Sequence, residues 1–354
     1  MEHHHKMLKV GISVGDLNGI SLEIIIKTFM EKDFMQLCTP IVYASQKAVA
    51  IHKKALGVGE FNFSLCTDAA QAKAKHPNLI NVWDEEVEIE IGKESDIAGK
   101  CALLSLEAAC KDLKAGKIDV LVTAPLNKHN VKLEGKSFTG HTQFLHDYFE
   151  AKNHLMIMVG PDMRLATLTE HMPLSKVPGA INDIVLKDKV RLLHQSLIRD
   201  FGIRKPKIAV LGLNPHNGDQ GLMGDEEQKI IGPAIRKLND DGMLVYGPYP
   251  ADGFFGKLQF KQFDAVLCMY HDQGLSVFKA LQFECGVNYT AGLPVVRTSP
   301  DHGVAYDIAG HGKADTTSFK HAVYLAIDVY RKRIEFEEIS ENPLKINVLR
   351  RERH

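Results

Sequence analysis

Residues 264–274, Asp264-Ala265-Val266-Leu267-Cys268-Met269-Tyr270-His271-Asp272-Gln273-Gly274, begin as an apolar run and turn abruptly polar. A run of that length reads as a buried strand, and its end delivers a histidine and an aspartate side by side. The pattern recurs. The run 119–123 (DVLVT) is followed by Ala124-Pro125-Leu126-Asn127-Lys128, and 164–169 (RLATLT) by Glu170-His171-Met172-Pro173. The run 207–213 (KIAVLGL) is followed by Asn214-Pro215-His216-Asn217-Gly218-Asp219, and a further strand is expected at 8–14 (LKVGISV). Between these lie stretches of helical period such as 99–115 and 225–241. The second opens with three acidic residues, which favour a helix N-terminus through the dipole, and Gly242 stops it. Strands alternating with helices predict βαβ units and a mainly parallel sheet covered on both faces.

The 354 residues suffice for two domains of ordinary size or one large α/β domain. No fixed-period repeat, low-complexity tract or Gly/Ser-rich linker divides the chain, as expected where a chain crosses twice between two α/β lobes. Hydrophobic residues make up 45% and charged residues 25%, the balance of a soluble globular protein. With 43 Lys plus Arg against 44 Asp plus Glu, bulk charge gives no support to a nucleic-acid or anionic-membrane partner. The six cysteines form no C-x-x-C pair and fit a reducing compartment. No apolar segment has the length of a signal peptide or a bilayer span, so a cytoplasmic location is expected. His3-His4-His5 is set aside as a tag or a natural start.

In parallel α/β folds the loops at the carboxyl ends of strands form the ligand crevice. Three such ends supply His171, His216 and His271, 45 and 55 residues apart. Neutral imidazoles suit a borderline divalent metal, with Asp272 as a further ligand or an acid/base. The same histidines could each close a loop on a backbone carbonyl, and the spacing does not decide. The stretch Gly135-Lys136-Ser137-Phe138-Thr139-Gly140-His141-Thr142 precedes an apolar helical run. It reads as an anion site at a helix start or, more simply, as a helix capped by Thr142. Further on, Lys279, Asn288 and Arg297 could grip a phosphate or carboxylate, or be ordinary surface and turn residues. Ser299–Gly303 resembles a rigid turn. No G-x-G-x-x-G follows a strand and no G-x-x-x-x-G-K-[ST] occurs, so a bound nucleotide would need a non-Rossmann plan.

Taken together and in order, FTGHTQFL (138–145), NPHNGDQGLMGDEE (214–227), MYHDQGLSVFKA (269–280) and LPVVRTSPDHGVAYDIAGHGKAD (293–315) closely resemble the 4-hydroxythreonine-4-phosphate dehydrogenase family of vitamin B6 biosynthesis. The resemblance implies an α/β fold of the isocitrate/isopropylmalate dehydrogenase-like type, with two α/β/α lobes around a central cleft. The first lobe, discontinuous and on the cofactor side, is expected at 1–130 and 298–354. The second, with the metal and substrate site and the dimer interface, is expected at 131–297. It also implies a homodimer that shares a divalent metal (Zn, Mg or Co) held by His171, His216 and His271. Substrate contacts carry over to His141, Thr142, Lys279, Asn288 and Arg297. Cofactor contacts, to NAD with NADP left open, carry over to Gly303 and Asp307. Asp272 and Asp252 are the candidates for positioning or proton transfer.

The implied reaction oxidises the C3 hydroxyl of 4-phosphooxy-L-threonine to a 3-keto acid, which decarboxylates to 3-amino-2-oxopropyl phosphate. The metal serves as Lewis acid and the nicotinamide as hydride acceptor. One departure stands out. The family loop G-D-P-A-G-I-G-P-E here reads Gly15-Asp16-Leu17-Asn18-Gly19-Ile20-Ser21-Leu22-Glu23, and loss of both prolines and a glycine is expected to loosen the turn. The nearest rival is a paralogous enzyme acting on D-threonate or D-erythronate 4-phosphate. A metal-dependent hydrolase and a non-enzymatic phospho-ligand binder are more distant alternatives.

Overall fold

A computed structural model describes residues 7–133 and 136–342; His3–His5, Gly135 and the segments 1–6 and 343–354 of the first expected lobe lie outside the described residues. Twelve strands form one continuous sheet. In chain order they are β1 Lys9–Ser13, β2 Thr39–Ala44, β3 Ser64–Cys66, β4 Asn78–Asn81, β5 Val120–Thr123 and β6 Leu155–Val159. They continue with β7 Arg164–Thr167, β8 Lys207–Leu211, β9 Leu244–Tyr249, β10 Ala265–Cys268, β11 Val287–Ala291 and β12 Arg297–Pro300. The spatial order is β9-β8-β10-β7-β6-β11-β12-β5-β1-β2-β4-β3. All five runs expected as strands are strands, each within two residues of the expected ends.

The α/β class holds, and the sheet is mainly parallel. One parallel block contains β12, β5 and β1–β4, and the other contains β7–β10. The antiparallel pairings, β6 with β7, β6 with β11 and β11 with β12, all fall between the blocks. Strands of the blocks are apolar on both faces: Val120, Leu121 and Val122 are all fully buried, as are Ala209, Val210 and Leu211. The boundary expected at 297/298 falls at the first residue of β12, and that at 130/131 in a loop after β5; the sheet runs through both. The expected helix at 99–115 starts earlier, at Asp96, because Ser95 Oγ caps it by accepting from Ala98 N at 3.3 Å. The stretch 225–241 divides into a π turn, Glu227–Ile231, and a helix, Gly232–Asp240. Pro233 lacks the amide that would continue an α ladder, and the turn before it widens. Gly242, at φ 88°, ends the helix as expected. No helix among the described residues is long and apolar enough to cross a membrane.

The joint between the blocks has two faces of opposite character. Cross-strand partners share a face. Asn288 pairs with both Met158 and Ser299, and Thr290 with Met156, so these residues face one side together with Arg297. On the other side Tyr289 points into a closed network around Asp200. The Asp200 carboxylate accepts from Ser196 Oγ at 2.7 Å, Tyr289 OH at 2.6 Å, Arg199 Nε at 2.9 Å and Arg333 Nε at 2.8 Å. Arg333 lies on the last helix, Thr317–Ser340, and Ser196 on the helix Asp183–Arg199. Burial pushes this carboxyl up, but Arg333, Arg199 and the hydroxyl donors outweigh it and hold it below the ordinary range.

The altered loop at 15–23 is not loosened, contrary to the expectation from its lost prolines. Leu17 and Leu22 are buried, and the polar replacements acquire partners. Asn18 Nδ2 donates to Lys93 O at 2.8 Å and Ser95 Oγ at 3.0 Å, while Ser21 Oγ donates to Pro125 O at 2.7 Å. Asp16 accepts from Asn18 N, Asn130 Nδ2 and Tyr306 OH. Buried Glu23 accepts from the backbone amides of Gly310 and Ala314. Side-chain hydrogen bonds replace the rigidity that proline would give.

Asn18→Ala should cost about 1–3 kcal/mol in urea unfolding and speed amide exchange at 93–96, because Lys93 O and Ser95 Oγ lose their donor; unchanged exchange there would contradict this. Asp200→Asn should cost about 3–5 kcal/mol at pH 7 by leaving Arg333 and Arg199 without their counter-ion. Since the folded carboxyl titrates below its unfolded value of about 4, its contribution is complete above that pH and lost as pH falls through the folded value. The gap in Tm between variant and wild type should therefore narrow from pH 5 to pH 3; a constant gap would show that ionisation of Asp200 does not matter.

Candidate active site

A cleft of about 720 Å³ opens over the mixed face of β6, β11 and β12. Met156, Met158, Asn288, Arg297 and Ser299 form its floor. Its walls come from the loop after β5, the start of the helix His141–Tyr148, the loop after β7, the helix His271–Gln282 and the turn 299–303. The expectation that strand-end loops form the crevice therefore holds for three of the four quoted loops.

Each residue of His271-Asp272-Gln273-Gly274 has a task. His271, Leu275 and Lys279 recur every four residues along one helix and line the cleft together. Asp272 Oδ1 lies 2.7 Å from His271 Nδ1, so a proton on Nδ1 is donated to the carboxylate and Nε2 keeps its free lone pair. Gln273 accepts from Met269 N and donates to Gly212 O, both at 2.7 Å, which pins the helix start to the end of β8. At Gly274 a Cβ would meet Leu165 Cδ2 at 2.6 Å and Cys268 Sγ at 2.7 Å, so any larger residue would force these buried side chains or the helix to move.

The ladder between β7 and β10 continues past the strand ends. Leu168 N donates to Cys268 O at 2.8 Å and Thr169 N to Met269 O at 3.2 Å. Glu170-His171 and Tyr270-His271 consequently leave the sheet side by side, and the rings of His171 and His271 lie 5.4 Å apart. Partial burial, then Lys128 and His271, lower the proton affinity of His171 and favour its neutral, metal-binding form. His216 is not brought to the cleft wall. It is exposed on the loop 215–221, where five successive residues from His216 to Gln220 have positive φ. Glu227 fixes the base of that loop by accepting from Leu213 N and Asn214 N, both at 2.7 Å. No group of three or more His, Cys, Asp and Glu side chains among the described residues is placed to hold a metal within one chain.

The cleft lining also carries a cationic set, Arg297, Lys128 and Lys279. Arg297 is 2% exposed, and its guanidinium donates only to hydroxyls: Nη2 and Nε to Thr123 Oγ1 at 2.6 and 3.0 Å, and Nη1 to Thr290 Oγ1 at 3.3 Å. Burial without a carboxylate partner lowers its pKa to about 9. Thr142 is not the helix cap. Gly140, at φ 127°, occupies that position, no side chain caps the first amides, and Thr142 sits one residue inside the helix beside the cleft. A Cβ at Gly140 would crowd Lys128 Cε at 3.1 Å. The Nε2 of His141 is shut off from solvent without a partner; burial, then Arg297 and Lys128, drive its proton affinity well down. Asn288 Oδ1 is likewise buried and unpaired.

Lys128, Glu170, Asp301 and His302 also line the cleft, although sequence reasoning assigned them no role. All four lie in the quoted strand-end loops or the 299–303 turn, which was the available signal. Asp301 Oδ1 is 3.4 Å from Lys279 Nζ. His302 Nδ1 lies 3.0 Å from Gly303 O, and its Nε2 is buried without a partner. Gly303 sits at the cleft edge, whereas exposed Asp307 and exposed Asp252 are not on its walls.

This architecture has close relatives. A 4-hydroxythreonine-4-phosphate dehydrogenase of Bacteroides thetaiotaomicron is 48% identical over 96% of this chain and 93% of its own length. One from Sulfurihydrogenibium sp. is 40% identical over 92% of this chain and all of its own. The crystal structure of a 4-hydroxythreonine-4-phosphate dehydrogenase from Burkholderia phymatum superposes with a TM-score of 0.75 at 33% identity, covering 92% of this chain and 99% of that one. The family profile described as pyridoxal phosphate biosynthetic protein PdxA matches residues 36–326, and the chain belongs to that family.

Proposed function

We propose that the chain oxidises 4-phosphooxy-L-threonine at C3 in a metal-assisted, nicotinamide-dependent reaction whose 3-keto acid product decarboxylates to 3-amino-2-oxopropyl phosphate. The observation that carries this reading is Arg297, a buried guanidinium with no carboxylate partner, facing the same cleft as the His171–His271 pair. Such a charge out of water calls for an anion. Arg297, Lys279 and Lys128, with His141 and Thr142 at the uncapped helix start, hold the substrate's phosphate and carboxylate. Asn288 offers its unpaired Oδ1 to a substrate hydroxyl or ammonium.

The donor chemistry of His171 and His271 fits a divalent metal, since Asp272 leaves His271 Nε2 free and His171 is held neutral. The metal would supply Lewis acidity at the reacting oxygen. The third donor, in this reading, is the partner subunit's His216 in a homodimer. Apolar side chains beside both loops support such a cover: Leu174 is 67% exposed and Leu222 84%. Gly303 and Asp307 lie on the loop that Glu23 and Gly19 hold down, and they fit the adenosine side of NAD or NADP, which accepts the hydride. Asp272 acts by orienting His271. Asp252, exposed and off the cleft of one chain, would reach substrate only in the same dimer.

Arg297→Ala should raise KM for 4-phosphooxy-L-threonine roughly 10- to 100-fold, and Arg297→Lys should recover little because a point charge cannot replace the fork. An unaltered KM in a steady-state NADH assay would refute the anion-binding role. His171→Ala and His271→Ala should each bring bound metal, measured by elemental mass spectrometry, to background with the far-UV circular dichroism preserved. Full metal content in either variant would remove that histidine from the ligand set.

A further inference from the structure

Only two carboxylates line the cleft among the described residues, Glu170 and Asp301. Asp301 is committed to Lys279 at 3.4 Å. Glu170 has no ion pair and no side-chain hydrogen bond among the described residues, and its Oε1 is closed off from solvent. The nearby cation Lys189 acts on it only through space: its Nζ donates to His154 O at 2.7 Å and makes no ion pair with Glu170. A carboxylate oxygen withdrawn from water without a partner is costly unless a ligand supplies the missing donor. The remaining charges on the cleft walls, Lys128, Lys279 and Arg297, are positive. They suit a phosphate and a carboxylate but repel an ammonium.

We propose that Glu170 is the specificity residue of the site: it receives the substrate's α-ammonium and selects an amino-acid phosphate over the corresponding hydroxy-acid phosphate. This rests on the dehydrogenase reading above. Glu170 directly precedes His171, so the residue that would hold the ammonium next to C3 and a residue that would hold the metal are adjacent in one loop. An uncharged hydroxyl in place of the ammonium gives Glu170 Oε1 at most a neutral donor where the site leaves room for a cationic one. A site built around a buried polar partner rejects ligands that lack the matching group far more strongly than an apolar pocket rejects a misfit.

The test compares wild type, Glu170→Gln and Glu170→Asp on 4-phosphooxy-L-threonine and D-threonate 4-phosphate, which carries a hydroxyl in place of the ammonium with the same configuration at C2 and C3, with kcat/KM and bound metal measured for each. Wild type should favour the amino substrate roughly 100-fold. Glu170→Gln should cut that preference at least about tenfold, with KM rising for the amino substrate and kcat/KM rising for the hydroxy substrate, while metal content stays at the wild-type level, and Glu170→Asp should restore part of the preference. Equal losses on both substrates, an unchanged ratio, or loss of metal would overturn the assignment. If wild type oxidises neither compound, the dehydrogenase reading fails. Calorimetric affinities of the same two compounds, taken without NAD, then judge Glu170 alone: a preference for the amine abolished in Glu170→Gln upholds it, and equal affinities in wild type sink it.

Discussion

The cleft depends on a carboxylate that never touches it. Asp200 is fully buried, and it remains charged there only because four side-chain donors from three different elements converge on it. Tyr289 belongs to the central strand β11, Arg333 to the last helix, and Ser196 and Arg199 to or near a helix of the other half. Moving the two parallel blocks against each other would strip at least one donor and leave a bare charge in the interior. A buried ionic group of this kind adds less to net stability than to the uniqueness of the arrangement. Here it fixes the register of the very strand whose opposite face is the cleft floor.

The front of that strand obeys the opposite rule. Behind it no buried polar atom of the Asp200 network lacks a partner, while in front Arg297, His141, Asn288, Asp301 and His302 each keep a group that is unpaired or paired only with a neutral hydroxyl. Buried polar atoms in folded proteins are nearly always satisfied, so a cluster of exceptions on one surface marks where a ligand completes the bonding. The saturated back makes the unsaturated front possible, because a floor held rigidly from behind can carry desolvated, repelling cations without relaxing away from them.

The division between legible and illegible residues follows the same physics. Strands buried on both faces, such as 119–123 and 264–269, are continuous apolar runs and announce themselves. The central strands β11 and β12 do not, since one face of β11 carries Asn288 and Thr290 toward the cleft and β12 begins with Arg297. Their polar alternation is the signature of the site itself, and it conceals the strand. His171 and His271 could be located because they follow readable strands. That their rings lie 5.4 Å apart could not, since it depends on a ladder that continues beyond the strand ends. The left-handed run at 216–220 uses four residues other than glycine, so nothing in its composition gives away its shape. The cap expected at Thr142 is absent because a glycine with φ 127° starts the helix with no side-chain oxygen. The roles of individual residues came from the ordered motifs and not from any one pattern.

The helix that begins at His271 ties the two ends of the cleft together. His271 and Lys279 are eight residues apart on one face, a separation of about 12 Å along the axis. Leu275 stands between them. At the amino end an imidazole faces the reacting centre in the proposed reaction, and at the carboxyl end an ammonium faces the phosphate. One helix thus sets the spacing between the two groups. Its position is set by Gly274 against β7 and β10 and by Gln273 on the end of β8, neither of which can meet the substrate. A change at either residue would shift His271 and Lys279 together, so the spacing and placement of these two cleft groups are set from the packing side of the helix rather than from the cleft.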